Sequence, residues 1–298
     1  AGKIYAVNAD TGKPVWTFDI IKNDPASWPA GSGKVGGGSA WMPGTYDEKS
    51  DTIFIGTSNA APDFYGADRK GDNKYTAPLL ALDPKTGKLK WHRQEIPHDV
   101  WDFDSAYEAL VVKKDGKDVI VHLNKSGFVF VMDKDDGKLE NVWQFAENLN
   151  WAKGIDPKTG ALIEPRRPEP GKRELLCPNL LGARSWNHGA YNPGTGLWYS
   201  HAMEVCNEVV SGPDDPTSLK ALSALSLGID EIKLVPPPNS AKPYGRLDAR
   251  DPLTGKLKWS IRYDMPPLSS VLTTAGGLVF TGDMEGHLFA YDADNGKQ

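Results

Sequence analysis

The sequence predicts an all-β protein assembled as a β-propeller, on three observations. A phrase recurs along the chain: an apolar residue, Asp or Asn, two or three polar residues, Gly-Lys, then an aromatic. It occupies 6–16, 81–91, 131–143 and 249–259, and a fifth copy begins at 290 and stops before its Trp. The repeat glycines Gly12, Gly87, Gly137, Gly255 and Gly296 stand 75, 50, 118 and 41 residues apart. The two shortest spacings are near the ~40 to 50 residues of a four-stranded propeller blade, and the long ones imply large loops or a drifted copy. Third, apolar residues come in short alternating runs, and helical periodicity is scarce.

Each copy reads as strand, tight turn, strand. Asp or Asn caps the turn through its side chain, and Gly supplies the positive φ. In chain order, the copy at 6–16 is followed by a strand at 52–56, the copy at 81–91, and two strongly apolar strands at 119–123 and 127–131. The copy at 131–143 comes next, then a drifted hairpin at 191–199 inside the 118-residue gap. The copy at 249–259, a strand at 277–281 and the final copy complete the series. Residues 146–186, with Pro165, Pro168 and Pro170, and residues 211–245, with Pro236, Pro237 and Pro238, are expected to be long loops over the propeller face. The whole chain, 1–298, reads as one partial propeller of four to five blades' worth of repeat.

A net charge of −5 over 298 residues, with Lys and Arg dispersed, argues against a nucleic-acid partner. No apolar run approaches the ~18 residues of a membrane-spanning helix. The chain begins inside a strand-like segment, so upstream sequence is expected. Cys177 and Cys206 are the only cysteines. Two thiols suffice for one bridge, and two buried reduced thiols are the alternative that composition leaves open.

The chemistry concentrates in His98-Asp99-Val100-Trp101-Asp102-Phe103-Asp104. If this segment is extended, Asp102 and Asp104 leave on the same face and point into one pocket. A hard cation gives two crowded acids a purpose, and one of them can serve as a base if its pKa is tuned. Four other segments stand out: the glycine run Gly36-Gly37-Gly38-Ser39-Ala40-Trp41, the strand end Gly56-Thr57-Ser58-Asn59, the turn Asn124-Lys125-Ser126-Gly127, and Trp186-Asn187-His188-Gly189. Singly, each has a plain structural explanation: a packing Trp, a turn Asn, a solvated Lys. His98 and His188 read as structural, because no His/Cys spacing for zinc occurs.

Together these segments carry a resemblance. The ordered set Gly-Gly-Gly-Ser-x-Trp, Gly-Thr-Ser-Asn-x-Ala-Pro, Gly-Asp-Asn-Lys-Tyr-Thr at 71–76, Pro-His-Asp-x-Trp-Asp at 97–102 and Asn-Lys-x-Gly resembles the quinoprotein alcohol dehydrogenases. That family includes the large subunit of methanol dehydrogenase and uses pyrroloquinoline quinone (PQQ). The likeness runs over nearly the whole chain and is weakest at 146–175 and 211–245.

The resemblance implies an eight-bladed propeller with quinone and metal on its axis. It makes Trp41 the floor on which the quinone stacks, Ser39 and Asn187 contacts to the cofactor, and Lys125 the cation beside the reactive quinone oxygen. Asn59 becomes a metal ligand through its amide oxygen, and Asp102 both a metal ligand and the base that takes the alcohol's proton. A second acid at Asp104 resembles the lanthanide-dependent branch, whereas calcium enzymes commonly carry a small or neutral residue there; the alternative is an Asp104 paired with a nearby Lys or Arg. The 29-residue separation of Cys177 and Cys206 looks like the structural disulfide of the methanol dehydrogenase subunit, and an oxidised pair implies the periplasm.

The implied activity is oxidation of a primary alcohol to the aldehyde with a cytochrome c as electron acceptor, and the full protein would be a homodimer or carry a small subunit. The family's glutamate ligand, vicinal cysteine ring and cofactor-binding arginine have no counterpart in this stretch, and Leu268 stands where methanol dehydrogenases tend to carry a Trp. The isolated chain is therefore expected to bind PQQ weakly and to be weakly active or inactive. Two other readings remain: a non-catalytic propeller serving as a protein-binding scaffold in the bacterial envelope, and a quinoprotein dehydrogenase for sugars or aldehydes.

Overall fold

The recurrent phrase folds as a hairpin at each of its four full copies, and the turn is built the same way in all five. In the second copy Asp83 Oδ1 accepts from the backbone N–H groups of Lys85 and Thr86 at 2.9 and 2.8 Å, while Gly87 takes φ of 67° and donates to Asp83 O. Asn8, Asp133, Asp251 and Asp292 cap their turns in the same manner. The computed structural model describes residues 2–22, 24–29, 32, 36–67, 69–213 and 227–298.

Strands β1 (Lys3–Val7) and β2 (Pro14–Asp19) form a two-stranded antiparallel sheet. Then β3 (Thr45–Asp47), β4 (Thr52–Gly56), β5 (Pro78–Leu82) and β6 (Leu89–Gln94) form a four-stranded meander, as do β7 (Ala109–Lys114), β8 (Lys117–Leu123), β9 (Phe128–Asp133) and β10 (Leu139–Gln144). The next stretch holds the short hairpin β11 (Gly154–Ile155) and β12 (Leu162–Ile163), and then β13 (Arg173–Leu176). The fourth blade uses β14 (Ala190–Asn192) and β15 (Leu197–Glu204), then continues only after β16 (Cys206–Ser211) and β17 (Ile229–Val235) with β18 (Tyr244–Arg250) and β19 (Leu257–Tyr263). Three strands, β20 (Leu272–Thr273), β21 (Leu278–Gly282) and β22 (Leu288–Asp292), make the last sheet.

The 118-residue gap thus has a structural cause. A second sheet is ordered β13-β16-β17: β13 precedes the fourth blade, and β16 and β17 are inserted between its strands β15 and β18. The disulfide Cys177–Cys206 pins it where β13 meets β16. The segments expected as long loops are therefore partly regular. Residues 146–186 contain β11, β12 and β13, with an Asp156-to-Gly160 turn of the same type, and 211–245 contains β17. Prolines bracket these strands rather than interrupting them, and residues 214–226 lie outside the described residues. The hairpin expected at 191–199 is the β14–β15 pair.

Blades bury their faces against their neighbours in chain order. In β9, Phe128, Phe130 and Met132 join Phe54, Leu79 and Ala81 of the preceding blade, while Val129 and Val131 join Trp198 and Ala202 of the following one. That alternation is the period-2 pattern of a strand buried on both faces. Each boundary is also clasped by a tryptophan. Trp16, Trp91, Trp143 and Trp259 donate their indole N–H to Pro84, Lys134, Pro252 and Ala293 carbonyls in the following turn, at 2.8, 3.0, 3.1 and 3.0 Å. Their rings lie on Gly87, Gly137, Gly255 and Gly296, where any Cβ would collide with the indole.

Candidate active site

Antiparallel meanders return every second connection to the same end of the sheet. The connections before β3, after β4, before β7, after β8 and before β14 share one end by this topology, opposite the Gly-Lys turns. The residues singled out in the sequence lie on these five connections: Ser39 and Trp41, Asn59, Asp102 and Asp104, Lys125, and Asn187.

The centre is a charged cluster. Lys125, only 7% exposed, places its Nζ 3.1 Å from Asp102 Oδ2 and 2.8 Å from Asp104 Oδ2. Lys125 is therefore not a solvated turn tip. Asp104, 4% exposed, also accepts the backbone N–H of Asn59 through Oδ1 at 3.0 Å, which ties the second blade to the connection leading to the third. The Asn59 side-chain nitrogen donates to Asp63 Oδ1 at 2.7 Å and to Ala60 O at 3.1 Å. Ser39 joins through a reciprocal pair: its N–H donates to Ser58 Oγ at 2.7 Å, and its carbonyl accepts from Ser58 N–H at 2.8 Å.

The acids converge by a route other than the extended strand expected from their spacing. Asp102 has a left-handed φ of 63°, and Asp104 N–H donates back to Asp102 O. The bend is held by Asp99, whose two carboxylate oxygens accept from Trp101 N–H at 3.3 Å and Phe103 N–H at 3.1 Å. A short polar side chain tolerates this φ better than most, and such strain gathers at functional sites.

Burial raises the Asp102 carboxyl well above the ordinary carboxylate range; Lys125 opposes this, and Asp104 and Asp63 add to it. Asp63 is pushed up to about 7, chiefly by burial, and Asp99 to about 6 for the same reason. Burial alone would lower the Lys125 ammonium, but the Asp104 and Asp102 carboxylates outweigh it and hold the pKa above its usual value. At neutral pH the lysine is a fixed cation, and Asp102 and Asp63 are the groups of the cluster poised to hold a proton.

Asn187 lies further round, on the connection before the fourth blade. Its Nδ2 donates to Ser269 O of the last sheet at 3.1 Å, and its Oδ1 is buried without a partner among the described residues. The backbone of this connection is tied to Lys125 through Ala183 N–H, which donates to Lys125 O at 3.1 Å. Trp41 stands 43% exposed, and Trp186 is similar at 46%.

Three residues that brace the site carry no sequence signal of their own. Buried Arg69 donates to Pro62 O and Asp99 O at 2.8 and 2.5 Å, stapling the Asp63 segment to the Asp102 segment. Arg184 grips Glu108 with two bonds of 2.9 and 2.6 Å, and Glu108 also accepts Gly189 N–H, which orients the connection bearing Asn187. Asp63, four residues beyond Asn59, is visible in sequence only once the loop is known to fold back.

Comparison with known proteins agrees with this architecture. Residues 1–154 match the PQQ family model described as the glucose/ethanol/alcohol dehydrogenase β-propeller domain. A quinoprotein ethanol dehydrogenase of Pseudomonas aeruginosa is 32% identical over all of this chain and 54% of its own length. A quinohemoprotein alcohol dehydrogenase of Comamonas testosteroni is 34% identical over all of this chain and 45% of its own. The Comamonas crystal structure superposes with a TM-score of 0.85, covering 99% of this chain and 48% of that one. A europium-containing methanol dehydrogenase superposes with a TM-score of 0.88 at 28% identity, covering 98% of this chain and 55% of that one. The chain spans about half the length of the curated relatives it matches. With a family match over more than half its length and blades that superpose on these structures throughout, the chain belongs to the PQQ-dependent alcohol dehydrogenase β-propellers.

Proposed function

We propose that the full protein oxidises a primary alcohol to the aldehyde with PQQ and a hard cation, lanthanide or calcium, and passes the electrons to a cytochrome c. The observation that carries this reading is the buried cluster of Lys125, Asp102, Asp104 and Asn59. A scaffold propeller has no use for acids strained into contact with a buried ammonium at the mouth of its blades.

The residues present fit both groups. Carboxylates of Asp102 and Asp104 and the amide oxygen of Asn59 are hard donors, suited to calcium or a lanthanide and unsuited to zinc. The Asn59 Oδ1 accepts no hydrogen bond among the described residues. The orphaned Asn187 Oδ1 and the partly exposed indole of Trp41 suit a flat polar heterocycle, with the Ser39 hydroxyl at its edge. Asn59, Asp102 and Asp104 would hold the cation and Trp41, Ser39 and Asn187 the quinone, and the two groups would supply a Lewis acid and a two-electron acceptor for the alcohol's oxidation.

The chain's own residues do the rest. Asp102, its carboxyl raised by burial, takes the hydroxyl proton and holds it at Oδ2 or Oδ1. Lys125 remains charged and supplies a fixed positive potential where negative charge grows. Asp104 orients Lys125 and Asn59 together and adds the anionic oxygen that a trivalent ion favours. The disulfide supports a periplasmic location, since such bridges persist in oxidising compartments. No helix among the described residues is long and apolar enough to cross a membrane.

Residues 1–298 by themselves should bind PQQ weakly and oxidise little alcohol. The test is the full-length protein reconstituted with PQQ and either calcium or lanthanum, assayed by dye reduction with a primary alcohol. Activity that vanishes in Asp102→Asn supports the assignment. Inactivity with both ions, or an Asp102→Asn variant as fast as the parent, overturns it.

A further inference from the structure

The loop after Asn59 brings a third carboxylate to the cluster. Asp63 accepts one side-chain N–H of Asn59 at 2.7 Å, and Ala60 O takes the other at 3.1 Å. The backbone N–H of the same residue is held by Asp104 at 3.0 Å. Asn59 is therefore clamped between two acids, and its Oδ1 is the one polar side-chain atom left to face anything else. Asp102 and Asp104 share the Lys125 ammonium, whereas Asp63 has no salt-bridge partner among the described residues.

We propose that Asp63 is a positioning residue of the cation site, fixing the Asn59 amide with its oxygen presented to the ion and biasing the site toward trivalent over divalent cations. This rests on the reading of Asn59, Asp102 and Asp104 as that site. Asp63 Oδ1 is the acceptor of this bond, so it admits the orientation of the amide that turns Nδ2 toward it. Without it, the amide can turn over and present its NH2, which repels a cation. Asp63 also adds a third carboxyl group to a cluster that holds one ammonium, and a trivalent ion offsets the negative charge such groups carry better than a divalent one. Partners of this kind commonly change metal affinity about 10–100-fold.

The test is a titration of the metal-stripped full-length protein with Tb3+, read by luminescence excited through tryptophan, and with Ca2+ in competition. Asp63→Leu should weaken Tb3+ binding by about 10–100-fold and weaken Ca2+ as well. Asp63→Asn still offers an oxygen to Asn59 Nδ2, so it should keep Ca2+ affinity and lose Tb3+ affinity selectively. It also keeps the test valid should Asp63→Leu fail to fold. Parental Tb3+ affinity in Asp63→Leu, with Asn59→Ala weakened, overturns the role of Asp63 alone. Equal loss of both ions in Asp63→Asn overturns the bias toward trivalent ions. If the parent binds no Tb3+, or Asn59→Ala binds it as the parent does, the cation-site reading falls and Asp63 with it.

Discussion

The Asp104 carboxylate lies 2.8 Å from the ammonium of Lys125, and each is almost wholly buried. The pairing that sequence offered as an alternative to metal binding is thus real, and it places the acid on the same cluster as Asn59. Removing one partner from a buried pair leaves a charge uncompensated. Lys125→Met strands two acids and should cost about 3–5 kcal/mol in urea unfolding. Asp104→Ala leaves Lys125 with Asp102 and should cost less, about 2–3 kcal/mol. A Lys125→Met variant as stable as the parent would show that the cluster is not held together by this charge pair.

The blade boundaries give a second prediction. At Gly137, φ is 70° and an added Cβ would stand 2.5 Å from Trp91 Cε3. Gly137→Ala should therefore destabilise by more than the usual glycine-to-alanine change, about 2–4 kcal/mol, through strain and clash together. Trp91→Phe keeps an aromatic ring and loses the bond to Lys134 O, and should cost about 1–2 kcal/mol. Thermal melts of the two variants check the order.

These clasps also mark what sequence makes legible. The Asp-x-x-x-Gly-Lys turn is local chemistry, so the hairpins at Asp83, Asp133 and Asp251 could be placed from a few residues each. Asp102 and Lys125 were legible as odd residues in otherwise regular context, and as a set only through the family resemblance. The nested sheet was not, because β16 and β17 pair across a blade that closes around them, and proline-rich flanks mask short strands. Asp63 and Arg69 were invisible for a related reason. Their meaning lies in contacts with Asn59 and Asp99 that only the folded loops create.

His201 supplies a pH test. It is fully buried, its Nε2 lies 2.6 Å from Thr281 Oγ1, and burial lowers its pKa to about 4. The folded state keeps the ring neutral down to about 4, while the unfolded chain takes up a proton near pH 6.5. At this ring more protons are bound when unfolded across the window, so the His201 contribution to stability rises with pH from about 4 to 6.5 by roughly 3 kcal/mol in full, while the raised carboxyls of Asp63 and Asp99 contribute with the opposite sign. A neutral His201→Gln variant should remove this contribution and make the slope of stability against pH less positive between 4 and 6.5. An unchanged slope between pH 4 and 6.5 would remove His201 as its source.

The nested sheet depends on its bridge. Cys177 and Cys206, 29 residues apart, join β13 to β16. Closing a loop of this length is worth about 3–4 kcal/mol in the unfolded chain. Cys177→Ala with Cys206→Ala should lower denaturant stability by that order and expose the β13–β16 edge first to proteolysis. Cleavage elsewhere would place the weak point outside this sheet.

Each indole clasp joins a strand to a turn that lies later in the chain: Trp16 to Pro84, Trp91 to Lys134, Trp143 to Pro252 and Trp259 to Ala293. As the chain is delivered from its N-terminus a sheet can thus be sealed only when its successor is present, and the longest separation falls between Trp143 and Pro252. Closure of the blade boundaries is directional, and the stretch that stays unsealed longest is the one that carries the excursion and its cysteines.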